Sequence, residues 1–158
     1  MHIGVIGATG QVGTVMREIL VERNFPITSI RFFASERSAG KSIPFNGEQI
    51  TVENAATASW EGLDIALLSA GGELSKNLAP IVASYGATVI DNSSAWRMDE
   101  NVPLVVPEVN PDALKLYKNK NIIANANCST IQLVLALKPL HDQFRIKRVI
   151  VSTYQSVS

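Results

Sequence analysis

The sequence predicts an α/β fold, in which a mostly parallel sheet carries helices on both faces. Three observations support this prediction. Short apolar runs alternate with amphipathic helical patterns, a glycine-rich turn follows the first run, and 46% of the 158 residues are hydrophobic. Alternating strands and helices form parallel sheets, because the helix that connects two parallel strands packs on a face of the sheet. The composition is ample for one buried core.

The first half of the chain gives the elements in order. "HIGVI" reads as a strand and "QVGTVMREILVERN" as an amphipathic helix. "TSIRFFA" is strand-like, and "IPFNGEQITVE" places Asn46 and Gly47 between two extended stretches, which is typical of a hairpin. "LDIALLSAGG" predicts a buried strand, and "ELSKNLAPIVASYG" predicts a helix that continues past Pro80.

The second half continues the alternation. "ATVIDNSS" reads as a strand, and "PLVVPEVNPDAL" is irregular and leads through a short helix to the strand in "NIIANANCS". The helix "STIQLVLALKPLH" follows. The last stretch, "IKRVIVSTYQSVS", reads as a long strand without a following turn, which predicts that the chain belongs to a larger architecture.

Charge and composition narrow the classes of partner. Fourteen basic and fourteen acidic residues cancel, so no overall field attracts nucleic acid or an anionic membrane surface, and we expect a small-molecule partner. No apolar run approaches the roughly 20 residues of a membrane helix, and no signal-type segment opens the chain, which predicts a cytoplasmic protein. A single cysteine cannot form an internal disulfide, and we expect no bound metal.

The turn "GATGQVG" places Gly7, Gly10 and Gly13 between the first strand and the first helix. In such a turn, backbone amides and the positive end of a helix face a pyrophosphate, as in Rossmann-like folds. The spacing alone is a weak signal, and a plain tight turn is the alternative. The flanking strand and helix favour a dinucleotide site.

The second strand runs into "ASERSAGK". Glu36 argues for NAD, because an acid in this position accepts from ribose hydroxyls. Ser35, Arg37, Ser38 and Lys41 can together hold a further phosphate by charge-assisted hydrogen bonds, so the prediction is NADP. An ordinary solvated loop remains the alternative.

Cys128 in "NANCSTIQ" is the only cysteine. A lone cysteine is more often a small buried hydrophobe than a nucleophile. Here a strand delivers it to the carboxyl edge of the predicted sheet, and a helix begins just behind it, whose N-terminus favours a thiolate. A thiolate beside a nicotinamide indicates acyl transfer followed by hydride transfer.

The segments "GATGQVG", "FFASERSAGK", "IDNSSAWR", "PLVVPEVN" and "NANCSTIQ" together resemble the bacterial type of aspartate-semialdehyde dehydrogenase, along the whole chain. The resemblance implies NADPH-dependent reductive dephosphorylation of L-aspartyl 4-phosphate to L-aspartate 4-semialdehyde, on the route to lysine, methionine, threonine and isoleucine. It implies that Cys128 forms an acyl-thioester. It also implies that Arg97 and Asn127 bind phosphate and that Gln155 positions the substrate.

The resemblance further implies a set of cofactor contacts and a domain division. The implied cofactor residues are Gly7, Thr9, Gly10, Gln11, Val12, Ser35, Arg37, Ser38, Ser69, Ala70, Gly71 and Ser158. Residues 1–145 would form the NADP-binding domain with the cysteine, and residues 146–158 the first strand of a catalytic and dimerisation domain. Full-length members are expected to be homodimers or homotetramers.

The family also requires a histidine as acid-base, which the resemblance assigns to the second domain. His141 lies thirteen residues beyond Cys128, about 20 Å along a continuous helix, and His2 begins the first strand at the opposite end of the sheet. Neither is expected to reach the thiol, so this chain alone is predicted to be inactive.

Three other interpretations stay open. An N-acetyl-glutamyl-phosphate reductase would share the glycine turn and the thiol, but "NCSTIQ" and "NSSAWR" fit it poorly. A module that senses NADP without chemistry is a different class of answer. A relative of glyceraldehyde-phosphate dehydrogenase is possible at the level of the fold.

Overall fold

A computed structural model of the chain describes residues 1–154. Over these residues eight strands form one sheet. They are β1 (His2–Ile6), β2 (Ser29–Ala34), β3 (Ser42–Phe45), β4 (Glu48–Asn54), β5 (Ile65–Leu68), β6 (Thr88–Asp91), β7 (Leu104–Val105) and β8 (Ile122–Asn125). The α-helices are α1 (Gln11–Glu22), α2 (Gly72–Ser84) and α3 (Cys128–Phe144), and 3₁₀ helices span Glu36–Ser38 and Pro111–Asn119.

The sheet is doubly wound, as predicted. Its strand order is β3-β4-β2-β1-β5-β6-β8-β7, and every neighbouring pair is parallel except β3 with β4. The chain moves outward from β1 in one direction through β2 and in the other through β5. Ile6, the last residue of β1, is in register with Phe33 on one side and Leu68 on the other. A crevice opens at such a change of direction.

Two apolar layers form the core, one on each face of the sheet. Ile3 and Val5 of β1 belong to one layer, and Ile6 belongs to the other, because successive side chains of a strand point to opposite faces. Leu20 of α1 packs on the first layer, whereas Leu78 of α2 is part of the second. The prediction of helices on both faces is therefore confirmed.

The local turn predictions also hold. Asn46 and Gly47 both have positive φ, and they join β3 to β4 in an antiparallel hairpin. Helix α2 continues through Pro80, which is solvent-exposed. Its ring therefore does not disturb the buried side of the helix, although a proline removes one hydrogen bond of the helix.

The predicted strand at the end of the chain is wrong over residues 146–154, which have no regular secondary structure. A strand is stabilised by hydrogen bonds to a neighbouring strand, and within residues 1–154 none runs beside this segment. The apolar pattern therefore lacks the partner that would make it a strand. The remaining residues of that prediction, 155–158, lie outside the described part of the chain.

Candidate active site

Five loops meet at one edge of the sheet, because they follow the carboxyl ends of adjacent parallel strands. The strands β2, β1, β5, β6 and β8 lie side by side in that order. The glycine turn after β1, the loop after β2, the turn Ser69–Gly71 and the segments that carry Arg97 and Cys128 therefore share this edge. Open parallel sheets bind their ligands here.

The glycine turn lies directly against the end of β5. Gly7 has a φ of +84°, and a Cβ atom on it would lie 2.2 Å from the carbonyl oxygen of Ser69. A Cβ atom on Gly13 would lie 2.3 Å from the carbonyl oxygen of Gly7. Both distances exclude a side chain, so these glycines permit a close approach of the turn to β5 and to α1.

The N-terminus of α1 offers backbone N–H groups to an anion. Its N-cap is Gly10, which has no side chain to accept from the first turn. Thr9, Gly10, Gln11 and Val12 are exposed. Since an uncapped N-terminus attracts negative charge through its free N–H groups, this end of α1 is suited to binding an anion.

The loop after β2 contains the residues predicted to hold an additional phosphate. Ser35, Arg37 and Lys41 are exposed, whereas Ser38 is buried, and its backbone N–H donates to the carbonyl oxygen of Ser35 at 2.8 Å. Within residues 1–154, Arg37 forms no ion pair. Glu36 is exposed in the same loop. The acidic residue that would favour NAD by accepting from ribose hydroxyls is therefore also present.

A cavity of about 600 Å³ adjoins this loop, and Ser35 and Glu36 are among its lining residues. The rest of its lining is mostly apolar and consists of Asn54, Ala55, Ala56, Thr57, Ala58, Trp60, Leu74, Asn77, Leu78, Ile81 and Tyr85. Its size is that of a small-molecule pocket. The sequence did not reveal it, because its walls come from separate segments whose apolar residues resemble ordinary core.

Arg97 is half-buried between the ends of β6 and β8. Its Nε donates to the carbonyl oxygen of Asn125 at 2.9 Å, and its Nη2 donates to the carbonyl oxygen of Asn92 at 3.2 Å. Within the described residues no carboxylate pairs with it. A half-buried guanidinium without a carboxylate partner is suited to binding an anion.

Cys128 is the first residue of α3 and is exposed, and Asn127 is the N-cap. The side-chain Oδ1 of Asn127 accepts from the backbone N–H of Ser129 at 3.0 Å and from the Ser129 hydroxyl at 2.5 Å. These bonds use the side-chain oxygen, and within residues 1–154 the Nδ2 group of Asn127 donates no hydrogen bond. Capping does not exclude a ligand role for Asn127, because the cap uses only the oxygen.

The structure does not bring a histidine to the thiol. His2 lies at the amino end of β1, where its Nδ1 is 2.7 Å from the hydroxyl of Ser29. His141 is in the last turn of α3, which is continuous from Cys128, so about 20 Å of helix separates them. Gln155 and Ser158, which were also predicted to line the site, lie outside the described residues.

Within residues 1–154, no group of three or more His, Cys, Asp or Glu side chains could hold a metal ion. None of the helices in this part of the chain combines the length and apolar character needed to cross a membrane.

The fold and this edge together define a dinucleotide-binding domain of the Rossmann type. A thiol lies at its ligand-binding edge, together with an arginine that pairs with no carboxylate of residues 1–154. Comparison with known families is more specific. Residues 2–117 match "Semialdehyde dehydrogenase, NAD binding domain", and the chain belongs to this family. The domain therefore binds a nicotinamide dinucleotide. The matched residues end before Cys128.

The similarity to an individual relative extends beyond residue 117 and includes Cys128. The chain is 57% identical over 158 residues to an aspartate-semialdehyde dehydrogenase from Aquifex aeolicus, covering 99% of this chain and 46% of that protein. The chain therefore spans about half the length of this relative.

Solved structures of aspartate semialdehyde dehydrogenases also resemble this chain. Aspartate semialdehyde dehydrogenase II from Vibrio cholerae, complexed with ASA, superposes with a TM-score of 0.88 at 53% identity over 89% of this chain and 46% of that one. The enzyme from Candida albicans with NADP gives a TM-score of 0.76 at 30% identity over 92% of this chain and 48% of that one.

Proposed function

We propose that the chain is the coenzyme-binding and thiol-bearing part of an aspartate-semialdehyde dehydrogenase. The reaction is NADPH-dependent reductive dephosphorylation of L-aspartyl 4-phosphate to L-aspartate 4-semialdehyde. The observation that carries the proposal is the exposed Cys128 at the start of α3, on the sheet edge that also holds Arg97 and the glycine turn. The names of the relatives and their identity to the chain support this choice of small-molecule substrate.

Cys128 acts as the nucleophile in the first half of this reaction. Its thiolate attacks the 4-acyl carbon of aspartyl phosphate, a C–S bond forms, and the bond from that carbon to the phosphate oxygen breaks with its electron pair leaving on phosphate. The N-terminus of α3 favours the thiolate, because the aligned peptide dipoles of the helix place partial positive charge at this end. The product is an acyl-thioester on Cys128.

Arg97 and Asn127 receive the phosphate. The guanidinium provides charge and paired donors, and the Nδ2 group of Asn127 provides further donors, since its Oδ1 is used by the helix cap. A bound phosphate with these partners is a better leaving group, because its developing negative charge is stabilised.

The glycine turn, the α1 amides and the small residues Ser69, Ala70 and Gly71 would hold the coenzyme beside the thiol. When bound there, NADPH would supply the hydride that reduces the thioester to the aldehyde. Cys128 is released as the thiolate when the C–S bond breaks. The small side chains of the Ser69–Gly71 turn leave room at the nicotinamide side of the site, and Gly71 has a φ of +85°.

The preferred coenzyme is NADP rather than NAD in this proposal. Arg37 is exposed and forms no ion pair within residues 1–154, and Ser35 and Lys41 are exposed in the same segment. The relative from Candida albicans, whose structure contains NADP, supports this choice. The cavity beside Ser35 and Glu36 has apolar walls that suit the adenine of the same coenzyme.

The acid-base group belongs outside residues 1–154 in this proposal, because neither described histidine is near the thiol. For the same reason we place the boundary between two domains near residue 145. The nucleophile lies in the domain before this boundary, and the acid-base group lies in the domain after it. We also propose that the complete protein is cytoplasmic and is a homodimer or homotetramer.

Acyl transfer to the thiol tests the proposal directly. The 158-residue chain is incubated with L-aspartyl 4-phosphate, and the intact mass is measured with and without NADPH. We expect an aspartyl adduct on Cys128 that is absent in Cys128→Ser and that decreases when NADPH is added. Tight NADP binding without any adduct would instead support a sensor of the nucleotide and would contradict the enzymatic proposal.

A further inference from the structure

Asn92 and Asn125 form a direct side-chain pair where β6 and β8 end. The Nδ2 group of Asn125 donates to the Oδ1 atom of Asn92 at 2.7 Å. The register of the two strands ends with Asp91 opposite Ala124, so the asparagines are the next pair along the strands. Their carboxamides thus continue the connection between the strands for one step beyond the backbone ladder.

The same two residues hold Arg97. The backbone carbonyl of Asn125 accepts from Nε, and that of Asn92 accepts from Nη2. Nε and Nη2 form one edge of the planar guanidinium. The other edge, formed by Nη1 and the second N–H of Nη2, has no acceptor within residues 1–154.

We propose that the Asn92–Asn125 pair is a positioning device that directs the free edge of Arg97 toward the phosphate of the substrate. This inference rests on the proposed function, because it assigns phosphate to Arg97. The side-chain bond fixes the separation of the two carbonyls, and the two carbonyls fix the plane of the guanidinium. A fixed fork binds the two oxygens of a phosphate with little further loss of conformational freedom.

The segment between Asn92 and Arg97 is held independently. The fully buried Asp91 accepts from the Ser93 hydroxyl at 2.6 Å, and the Ser93 oxygen accepts from the Ala95 backbone N–H at 3.0 Å. Removal of the asparagine pair should therefore loosen the guanidinium rather than the whole loop. Both asparagines occur in segments that the sequence singled out, "IDNSSAWR" and "NANCSTIQ", but their contact with each other is visible only in the fold.

Protection of Cys128 by inorganic phosphate measures this effect in the 158-residue chain. The rate of iodoacetamide labelling is followed against phosphate concentration at constant ionic strength. We expect Asn92→Ala and Asn125→Ala each to raise the half-protecting phosphate concentration by about threefold to tenfold, which is the value of one hydrogen bond. The double variant should show no larger effect than either single one, because both changes remove the same bond.

Controls separate positioning from general damage. Asn119→Ala changes an exposed asparagine in the second 3₁₀ helix and should leave protection unchanged. Arg97→Lys should weaken protection in the unmodified chain, and adding Asn92→Ala to it should have little further effect, since lysine has no fork to orient. Thermal unfolding of each variant identifies any that fail to fold.

A measurement without substitutions provides a second test. In the side-chain NMR spectrum of Arg97, phosphate should shift the Nη1 signals and leave the Nε–H signal nearly unchanged. A shift at Nε, or unchanged protection in the folded asparagine variants, would overturn the positioning role alone. If phosphate gave no protection to the unmodified chain, the phosphate site itself would be contradicted, and the proposed function with it.

Discussion

Single glycines show how strictly this fold depends on individual residues. Gly13→Ala introduces a Cβ atom 2.3 Å from the carbonyl oxygen of Gly7 and 2.9 Å from the Cα of Ala8. Both neighbours are backbone, so they cannot give way cheaply. We expect the substitution to lower the free energy of unfolding by about 1 to 3 kcal/mol.

Urea unfolding of Gly13→Ala beside Gly10→Ala measures this effect. At Gly10 a Cβ atom would meet only the Gly7 carbonyl oxygen, at 3.3 Å, so the loss of stability should be smaller there. Equal losses in the two variants would show that the close contact of the turn with α1 is not the cause.

The proposed function assigns the choice between NADP and NAD to Arg37. We expect the unmodified chain to bind NADP more tightly than NAD, because a charge-assisted contact with the additional phosphate contributes about 1.5 to 3 kcal/mol. Arg37→Ala should remove the preference, whereas Arg23→Ala, which changes an exposed arginine at the other end of α1, should not. Calorimetric titration with both nucleotides is the measurement. Equal affinities for NADP and NAD in the unmodified chain would contradict this role of Arg37. They would instead support Glu36 as the acceptor from the ribose hydroxyls.

At the scale of elements, an ion pair joins the connection after β6 to the residue that follows the 3₁₀ helix Pro111–Asn119. Lys120 Nζ lies 2.6 Å from Asp99 Oδ2 and 5.3 Å from the centre of the Trp96 ring. The hydrogen bond from Lys120, with a further one from the Asn101 backbone, lowers the pKa of Asp99 below its ordinary value of 3.8. The pair thus holds the segment next to Arg97.

This lowered pKa predicts a dependence of stability on pH. The contribution of Asp99 is present above the pKa of the unfolded state, near 3.8, and is lost as the pH falls through the lower pKa of the folded state. We expect the free energy of unfolding of Asp99→Asn to fall less steeply than that of the unmodified chain as the pH is lowered toward 2.

A series of urea unfolding curves from pH 7 to pH 2 provides the measurement. Asp112→Asn is the matched control, because Asp112 pairs with Lys115 in a fully solvated position, with 87% of its side chain exposed. It should follow the unmodified chain closely. If the free energy of unfolding of Asp99→Asn also followed that of the unmodified chain between pH 7 and pH 2, the ion pair would make no contribution to stability at low pH.

At the scale of the whole molecule, the separation of the thiol from both described histidines predicts very slow turnover. General acid-base catalysis contributes about 10² to 10⁴ in rate. The 158-residue chain should therefore reduce NADP with aspartate semialdehyde and phosphate at least a hundredfold more slowly than the relative from Vibrio cholerae. Turnover within about tenfold of that relative would show that an acid-base group lies within these 158 residues.

Much of this molecule could be predicted from sequence because the signals are local. The steric freedom of Gly7, the Asn46-Gly47 turn and the apolar spacing of α1 each act within a few residues. The strand and helix order therefore followed from short segments, and the parallel sheet followed from that order. The residues 146–154 show the limit of this reasoning, because a strand also needs a neighbour that its own sequence does not contain.

The sequence by itself determined the doubly wound sheet, the glycine turn and the position of Cys128 at the start of a helix. The tertiary structure alone decided which residues meet at the sheet edge. Arg97 is held by Asn92 and Asn125, which are 33 residues apart in the chain but adjacent in the fold. Such contacts cannot be read from local patterns, because they arise from strand order and register, which bring distant segments within hydrogen-bond distance.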